Sequence, residues 1–519
     1  MNSFGSITLL TVTPLVGGLI VASLPSERPT LARRVGLGFS LLALALAAGL
    51  WGGFDRASAD LQYVERRAWV PALAADYFVG VDGMGMLMVM LAALLVPLAL
   101  LVSWRIEERV RLYFALVLWL EAGLFGAFTA LNFFHWFLFW ELSLIPAFFL
   151  IRLWGGPGRG PAATQFFVYT MAGSVALLLA FLALYLATGR FDFVQLAELG
   201  RNHQLPALLG AHLGWAGLSP NALAQVIFCG AFLGFAVKVP LLPFHTWLPA
   251  TYAEAPTGTT MLLTGALSKM GMYGVLRILL PIFSDQMRAW HTPLLWLAVL
   301  TIVCSAAAAF AQRDMKRMFA YSSVNHLGYC LLGSFAVLGW TGDDARWTIE
   351  RAAALNGVLL QMFNHGLTAA TLFGFVALIE RRAGGLRGVD DFGGLRKPAP
   401  VLAGLMGVAA FASLGLPGLN GFVGEFLIFK GTFPLAPWAA ALSTLGLLIT
   451  AVFLLTFFER LFHGPTKARW AAFPDLSASE VWMVAPATAL MFVLGIHPQL
   501  VIGVINRTVL LWVERLGPG

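Results

Sequence analysis

Apolar runs of about twenty residues, separated by short polar stretches, recur along the whole of this 519-residue chain. A bilayer span needs about 20 mostly apolar residues. On that criterion there are fourteen: 5–24, 34–53, 82–103, 112–131, 133–152, 163–188, 222–244, 259–282, 292–311, 317–338, 353–380, 400–429, 434–458 and 481–503. The fourth and fifth are nearly fused around Asn132. Ile7 to Leu24 is apolar and its first positive charge, Arg28, follows it. A secretory signal places positive charge before its apolar stretch, so this segment is expected to be a retained first span. The longest polar insertions, 189–221 and 381–399, are too short for a second domain. Residues 1–519 therefore read as a single, all-α, polytopic membrane domain.

Composition agrees with that reading. Hydrophobic residues make up 59% of the chain and charged residues 11%, against about 25% charged in soluble domains. The net charge of +7 comes in small groups between apolar runs rather than in one patch, which excludes a nucleic-acid surface. The basic groups follow odd-numbered spans: Arg33 and Arg34, Arg105 to Arg111, Arg152 and Arg159, Arg313 to Arg317, Arg381 to Lys397, and Lys467 with Arg469. The loop after the seventh span carries no Lys or Arg. The excess of cytoplasmic positive charge then puts both termini outside the cytoplasm. Short loops and abundant Ala and Gly suit a bacterial inner membrane. Cys229, Cys304 and Cys330 are isolated in apolar runs without a CxxC pair, so neither a disulfide framework nor a metal site is expected.

Against this background four charges stand out. Glu141 in the fifth span, Lys238 in the seventh, Lys269 in the eighth and Glu425 in the twelfth all fall within apolar segments. At ~2.5–3.5 kcal/mol each they represent ~10–14 kcal/mol of insertion cost if left alone. Two readings stay open. The charges form static pairs that hold helices together, Glu141 with Lys238 and Lys269 with Glu425, or they relay protons. Acids and amines both shift pKa readily on burial. Titratable His326 and His365 lie in consecutive spans beside Asn325 and Asn364, which extends the set towards a relay. Secondary candidates are His245, His365 and Glu121, with His135 weaker still.

Two spans carry helix breakers beside their charge. Pro240 and Pro243 follow Lys238; Gly415, Pro417, Gly418 and Gly421 precede Glu425. Proline removes a backbone hydrogen bond, and freed backbone survives at membrane depth only where protein or a hydrated cavity satisfies it. Interrupted spans at corresponding places suggest repeats. Spans four to eight (112–282) and nine to thirteen (292–458) would be related units, the second inverted because five is odd, with Lys238 and Glu425 at pseudo-equivalent positions. Kinks that serve only packing are the alternative. No G-x-x-x-x-G-K, H-E-x-x-H or dinucleotide fingerprint occurs.

The segments VERRAWVPALAADYFVGVDGMGM (64–86), FFHWFLFWELSLIPAFFLI (133–151), VKVPLLPFHTWLPATYAEAPT (237–257), SKMGMYGVLRILLPIF (268–283), RDMKRMFAYSSVNHLGY (313–329), QMFNHGLTAATLF (361–373) and LPGLNGFVGEFLI (416–428) carry a family resemblance. From about Glu65 to Lys430 the chain resembles the M-type (chain 4) antiporter-like subunit of proton-pumping NADH:quinone oxidoreductase, respiratory complex I. Glu425 is the discriminating residue, since L-type, N-type and cation-antiporter relatives typically have Lys there. The resemblance implies fourteen helices with two inverted five-helix repeats and breaks in helices seven and twelve. It implies a gating pair Glu141–Lys238, central relays Lys269 and His326, and Glu425 as the exit-side site. It implies partners among L-type and N-type subunits, with NAD, FMN, iron–sulfur clusters and quinone on other subunits and none in this chain. The chain departs from the pattern after His245, reading LPATYAEAP where many relatives read LPDAHTEAP. Ala250 and Tyr252 thus replace an acid and a histidine, leaving Glu254 as the acid of that loop. Rival functions are a Mrp-type cation/proton antiporter subunit, a membrane subunit of a hydrogenase complex, and a passive anchor.

Overall fold

In a computed structural model, residues 5–73, 75–214, 217–339 and 345–516 are described. The terminal residues, on which the expected orientation bears, lie outside them. Among the described residues, eleven helices are long and apolar enough to cross a bilayer. Three further spans fall short of that description for reasons that matter below, and bring the total to the expected fourteen. The eighth, 257–282, is interrupted by π-helical turns at Leu263–Leu267 and Val275–Leu279. The tenth, Met315–Ala336, is rich in polar side chains. The twelfth is split into Pro400–Leu414 and Asn420–Leu435.

The helices are not equally deep. The eleventh span, Ala345–Arg382, is 94% buried over its most apolar window, and the fourth, Val110–Thr129, 89%, whereas the second and fourteenth are 28% buried within the chain. Small residues set the closest approaches, as expected where lipid tails leave packing and hydrogen bonds to drive helix association. A Cβ on Gly357 would meet Ile428 N at 2.5 Å, and one on Gly431 would meet Ala354 N at 2.4 Å, locking spans eleven and twelve. Spans eight and eleven cross where a Cβ on Gly366 would lie 2.6 Å from the Gly265 carbonyl oxygen.

Apolar runs did not reveal three extramembrane features. Strands β1 (Gln62–Val70) and β2 (Ala75–Val81) form an antiparallel hairpin after the second span. Helices Phe193–Arg201 and Leu205–Leu213 occupy the 189–221 insertion. A helix, Gln499–Arg515, follows the last span. The hairpin explains how the nearly fused fourth and fifth spans separate. Leu131 N–H donates to the Phe78 carbonyl (2.9 Å), Phe133 N–H to that of Phe191 (2.8 Å), and Asn132 caps the fifth span by accepting from Phe134 N–H (3.1 Å).

If the Gly265–Gly366 crossing sets the distance between spans eight and eleven, Gly366→Val should cost about 1–3 kcal/mol or more through overpacking. Membrane accumulation and detergent unfolding temperature should fall. Gly404→Leu, at a glycine with nothing within 4 Å, should change neither.

Candidate functional site

The seventh span ends at Lys238 because Pro240 and Pro243 cannot extend it. The chain turns through 239–246 and resumes as Trp247–Glu254. Neighbours satisfy the freed backbone: Trp247 Nε1 donates to the Val237 carbonyl (3.0 Å), and Leu242 N–H to Thr301 Oγ1 of the ninth span (3.1 Å). Lys238 is 1% exposed; its Nζ has no hydrogen-bond partner and lies 4.7 Å from the centroid of the Trp140 ring. That ring is fixed by a hydrogen bond from Nε1 to Ser174 Oγ (2.9 Å). Glu141, the next residue, also has a buried, unpartnered oxygen, and its charge acts on Lys238. The two form no ion pair within 4.0 Å, so the static Glu141–Lys238 pair is absent from this geometry.

The eighth span holds its lysine differently. A π turn leaves a carbonyl free of the usual i→i−4 ladder, and such turns often occur at functional sites. Here Lys269 Nζ donates to the Thr264 carbonyl (2.5 Å), contacts Ser268 Oγ (3.5 Å) and meets His365 Nδ1 (2.7 Å). The His365 ring lies 5.0 Å from that of His326, centroid to centroid. His326 Nδ1 is 3.0 Å from Glu425 Oε1, and its Nε2 is 3.2 Å from Ser413 Oγ. Gln361 Nε2 stands between the two, 3.3 Å from His326 Nδ1 and 3.1 Å from Glu425 Oε1. Lys269, His365, His326 and Glu425 thus form one buried string through spans eight, eleven, ten and twelve. Lys269 and Glu425 are its ends and do not pair directly. No hydrogen bond among the described residues joins Lys238 to Lys269, although their backbones are close: a Cβ on Gly271 would meet Val239 N at 2.8 Å.

The twelfth-span break is built into the same string. Asn364 Nδ2 donates to the Asn420 carbonyl (2.7 Å), while Asn420 Nδ2 reaches the Asn364 carbonyl (3.3 Å). Gly415, at φ +81°, brings the loop so close that a Cβ there would sit 2.7 Å from Glu425 Oε2.

The secondary candidates divide. His365 is central to the string. His245 faces Tyr321 (6.2 Å) and makes no bond to the string, its Nδ1 being unpartnered. Glu121 is fully buried, with both carboxylate oxygens unpartnered. His135 packs against Tyr77 of β2 (4.7 Å). Glu254 is committed structurally: its Oε2 accepts from Gly158 N–H (2.8 Å) and its Oε1 lies 3.4 Å from Arg387. Arg387 also binds Asp314 (2.6 Å); against the cost of partial burial, Asp314 and Glu380 raise its pKa. Sequence reading missed Gln361, Ser413 and Thr264. The available signal was spacing, since Gln361 and His365 are four apart and share a helix face. It also missed the Asp82–Arg277 pair (2.5 Å), whose arginine reaches Tyr273 Oη (3.2 Å).

A sequence profile described as "NADH:quinone oxidoreductase/Mrp antiporter, TM" matches residues 130–450. The chain is 36% identical to NADH-quinone oxidoreductase subunit M of Rhodobacter capsulatus over 509 residues, covering 97% of this chain and 95% of the relative. It is 33% identical over 503 residues to F(420)H(2) dehydrogenase subunit M of Methanosarcina mazei, covering 95% and 94%. Among solved structures, a chain of respiratory complex I from Thermus thermophilus matches with a TM-score of 0.83 at 28% identity, covering 98% of this chain and all of the other.

The contact between Lys269 and His365 can be tested apart from any activity. His365→Leu leaves a buried ammonium without one of its partners, which should cost about 1–3 kcal/mol. A lower detergent unfolding temperature is expected; an unchanged one would mean that Nζ finds another acceptor.

Proposed function

Because this chain belongs to the NADH:quinone oxidoreductase/Mrp antiporter family of membrane subunits, we propose that it relays protons as the M-type, antiporter-like subunit of a complex I-type machine. The observation that carries the reading is the string Lys269–His365–His326–Glu425, in which groups able to take and give protons follow one another inside the membrane. A set of static pairs would place each amine against a carboxylate; here Lys238 and Glu141 remain apart, and histidines separate Lys269 from Glu425.

In the proposed relay Lys238 holds a proton over the Trp140 ring, where cation–π attraction partly replaces lost hydration. An ionised Glu141 supports that charge. When a neighbouring subunit alters the field at Glu141, the proton passes towards Lys269 through His365 and His326 to Glu425. Moving one charge against 100 mV costs ~2.3 kcal/mol, and a pKa change of one unit corresponds to ~1.4 kcal/mol. A change of a few units per step therefore suffices. The energy comes from electron transfer in partner subunits, which would carry the NAD, FMN, iron–sulfur and quinone sites. L-type and N-type subunits are the expected membrane neighbours. The bilayer would be a bacterial inner membrane, with both termini outside the cytoplasm, and 112–282 and 292–458 would be inverted repeats. The electron donor is a separate matter, since the F(420)H(2) relative resembles this chain nearly as closely as the NADH-quinone ones.

The decisive variant is Glu141→Gln in the native complex, with assembly checked on a native gel and proton pumping measured beside electron transfer in sealed vesicles. An assembled complex with pumping reduced several-fold is expected. Loss of assembly would favour a passive anchor, and full pumping in an assembled variant would make Glu141 structural and overturn the relay as described.

A further inference from the structure

A cavity of about 200 Å³ lies away from the string, where the ends of spans three and eight meet the helices Phe193–Arg201 and Gln499–Arg515. Its charged lining is Arg201, Arg277, Arg515, Asp60 and Asp82, which leaves one net positive charge. Arg277 is neutralised by Asp82 at 2.5 Å. Arg201 and Arg515 form no ion pair among the described residues, and Arg201 Nε is buried with no hydrogen-bond partner. Partial burial, Arg201 and Arg277 act unfavourably on the charge of the exposed Arg515, and Asp60 and Asp82 favourably. The remaining walls are apolar, with Leu131, Phe193, Leu280, Leu511 and Trp512.

Three guanidiniums face two carboxylates here, which leaves room for one more anion, and a planar, multi-donor guanidinium suits phosphate oxygens. We propose that this cavity holds the phosphate of an anionic phospholipid at the membrane interface. The single negative charge of a phosphodiester matches the net charge of the lining. The ends of two spans place the cavity at headgroup depth, and the leucines with Trp512 offer the amphipathic surroundings that glycerol and the first acyl carbons require. A free phosphate would meet the same guanidiniums but has no use for those walls. Bound there, the lipid would tie the helix Gln499–Arg515 to the end of the eighth span, which carries Lys269 between its two π turns.

The test uses the intact parent complex in phosphatidylcholine vesicles doped with phosphatidylglycerol bearing a photoreactive acyl chain. Adducts are mapped by peptide mass spectrometry. In the wild type they should fall within 276–285 and 507–516, drop at least several-fold in an assembled Arg201→Gln/Arg515→Gln variant, and persist in Arg201→Lys/Arg515→Lys. Arg277 is left alone because its pair with Asp82 supports the fold. Adducts absent from these peptides in the wild type, or unchanged by the double Gln substitution, would overturn the proposal. So would equal labelling by a photoreactive phosphatidylcholine, which would indicate a merely apolar groove. Displacement of the lipid adduct by millimolar inorganic phosphate would assign the site to free phosphate and equally overturn it.

Discussion

A charge that cannot reach water must be satisfied by the protein around it, and much of this molecule is arranged to meet that demand. Two lysines meet it in different ways. Lys269 has a carbonyl released by a π turn, a hydroxyl and a histidine nitrogen within reach. Lys238 has only the face of Trp140 and a carboxylate beyond contact range. Insertion of either charge alone costs a few kcal/mol, and the two lysines offset it with different partners. A change in the field around Glu141 would therefore bear mainly on the less satisfied amine.

The backbone irregularities belong to the same arrangement. A break at membrane depth frees donors and acceptors that lipid cannot satisfy. In the seventh span Thr301 and Trp247 take them up; in the twelfth, Asn364 exchanges hydrogen bonds with Asn420. Each rescuing side chain comes from a different element or from beyond the break, so each break fastens neighbouring pieces as it opens the helix. Asn364 and His365 are consecutive: one holds the twelfth-span break and the other the eighth-span lysine. The deeply buried eleventh span thereby aligns the two.

What could be read in the sequence was whatever interrupted a uniform apolar run. Glu141, Lys238, Lys269 and Glu425 did so by charge, and Pro240 and Pro417 by breaking helices. The fourteen spans followed from run length. Gln361, Ser413 and Thr264 were invisible because uncharged polar residues are common in spans and cost little. His365 was visible but could not be ranked, because its position against Lys269 depends on the crossing of Gly265 and Gly366, and no single-span pattern encodes the register between two helices. The hairpin was missed because a search for long apolar runs passes over β1, whose face is half polar. Glu254, the surviving acid of the altered loop, has its oxygens engaged by Gly158 and Arg387, which sequence alone could not show.

The junction of His326, Glu425 and Gln361 shows why an uncharged residue belongs in such a string. With the proton on Glu425, its hydroxyl donates to His326 Nδ1; with the proton on His326, Nδ1–H donates back to the carboxylate. Gln361 Nε2, an N–H donor throughout, lies 3.1 Å from Glu425 Oε1 and can donate to it whichever side holds the proton. Ser413 accepts from His326 Nε2–H in either case. Glu425 Oε1 and both ring nitrogens would keep partners whichever side held the proton, while Gln361 Oε1 has none. An orphaned group would add about 1–3 kcal/mol, comparable to the ~2.3 kcal/mol that 100 mV imposes on one charge. A leucine in place of Gln361 would remove a donor that favours the ionised Glu425 over the neutral acid, and would thus oppose transfer to His326 by about 1–3 kcal/mol without removing a titratable group.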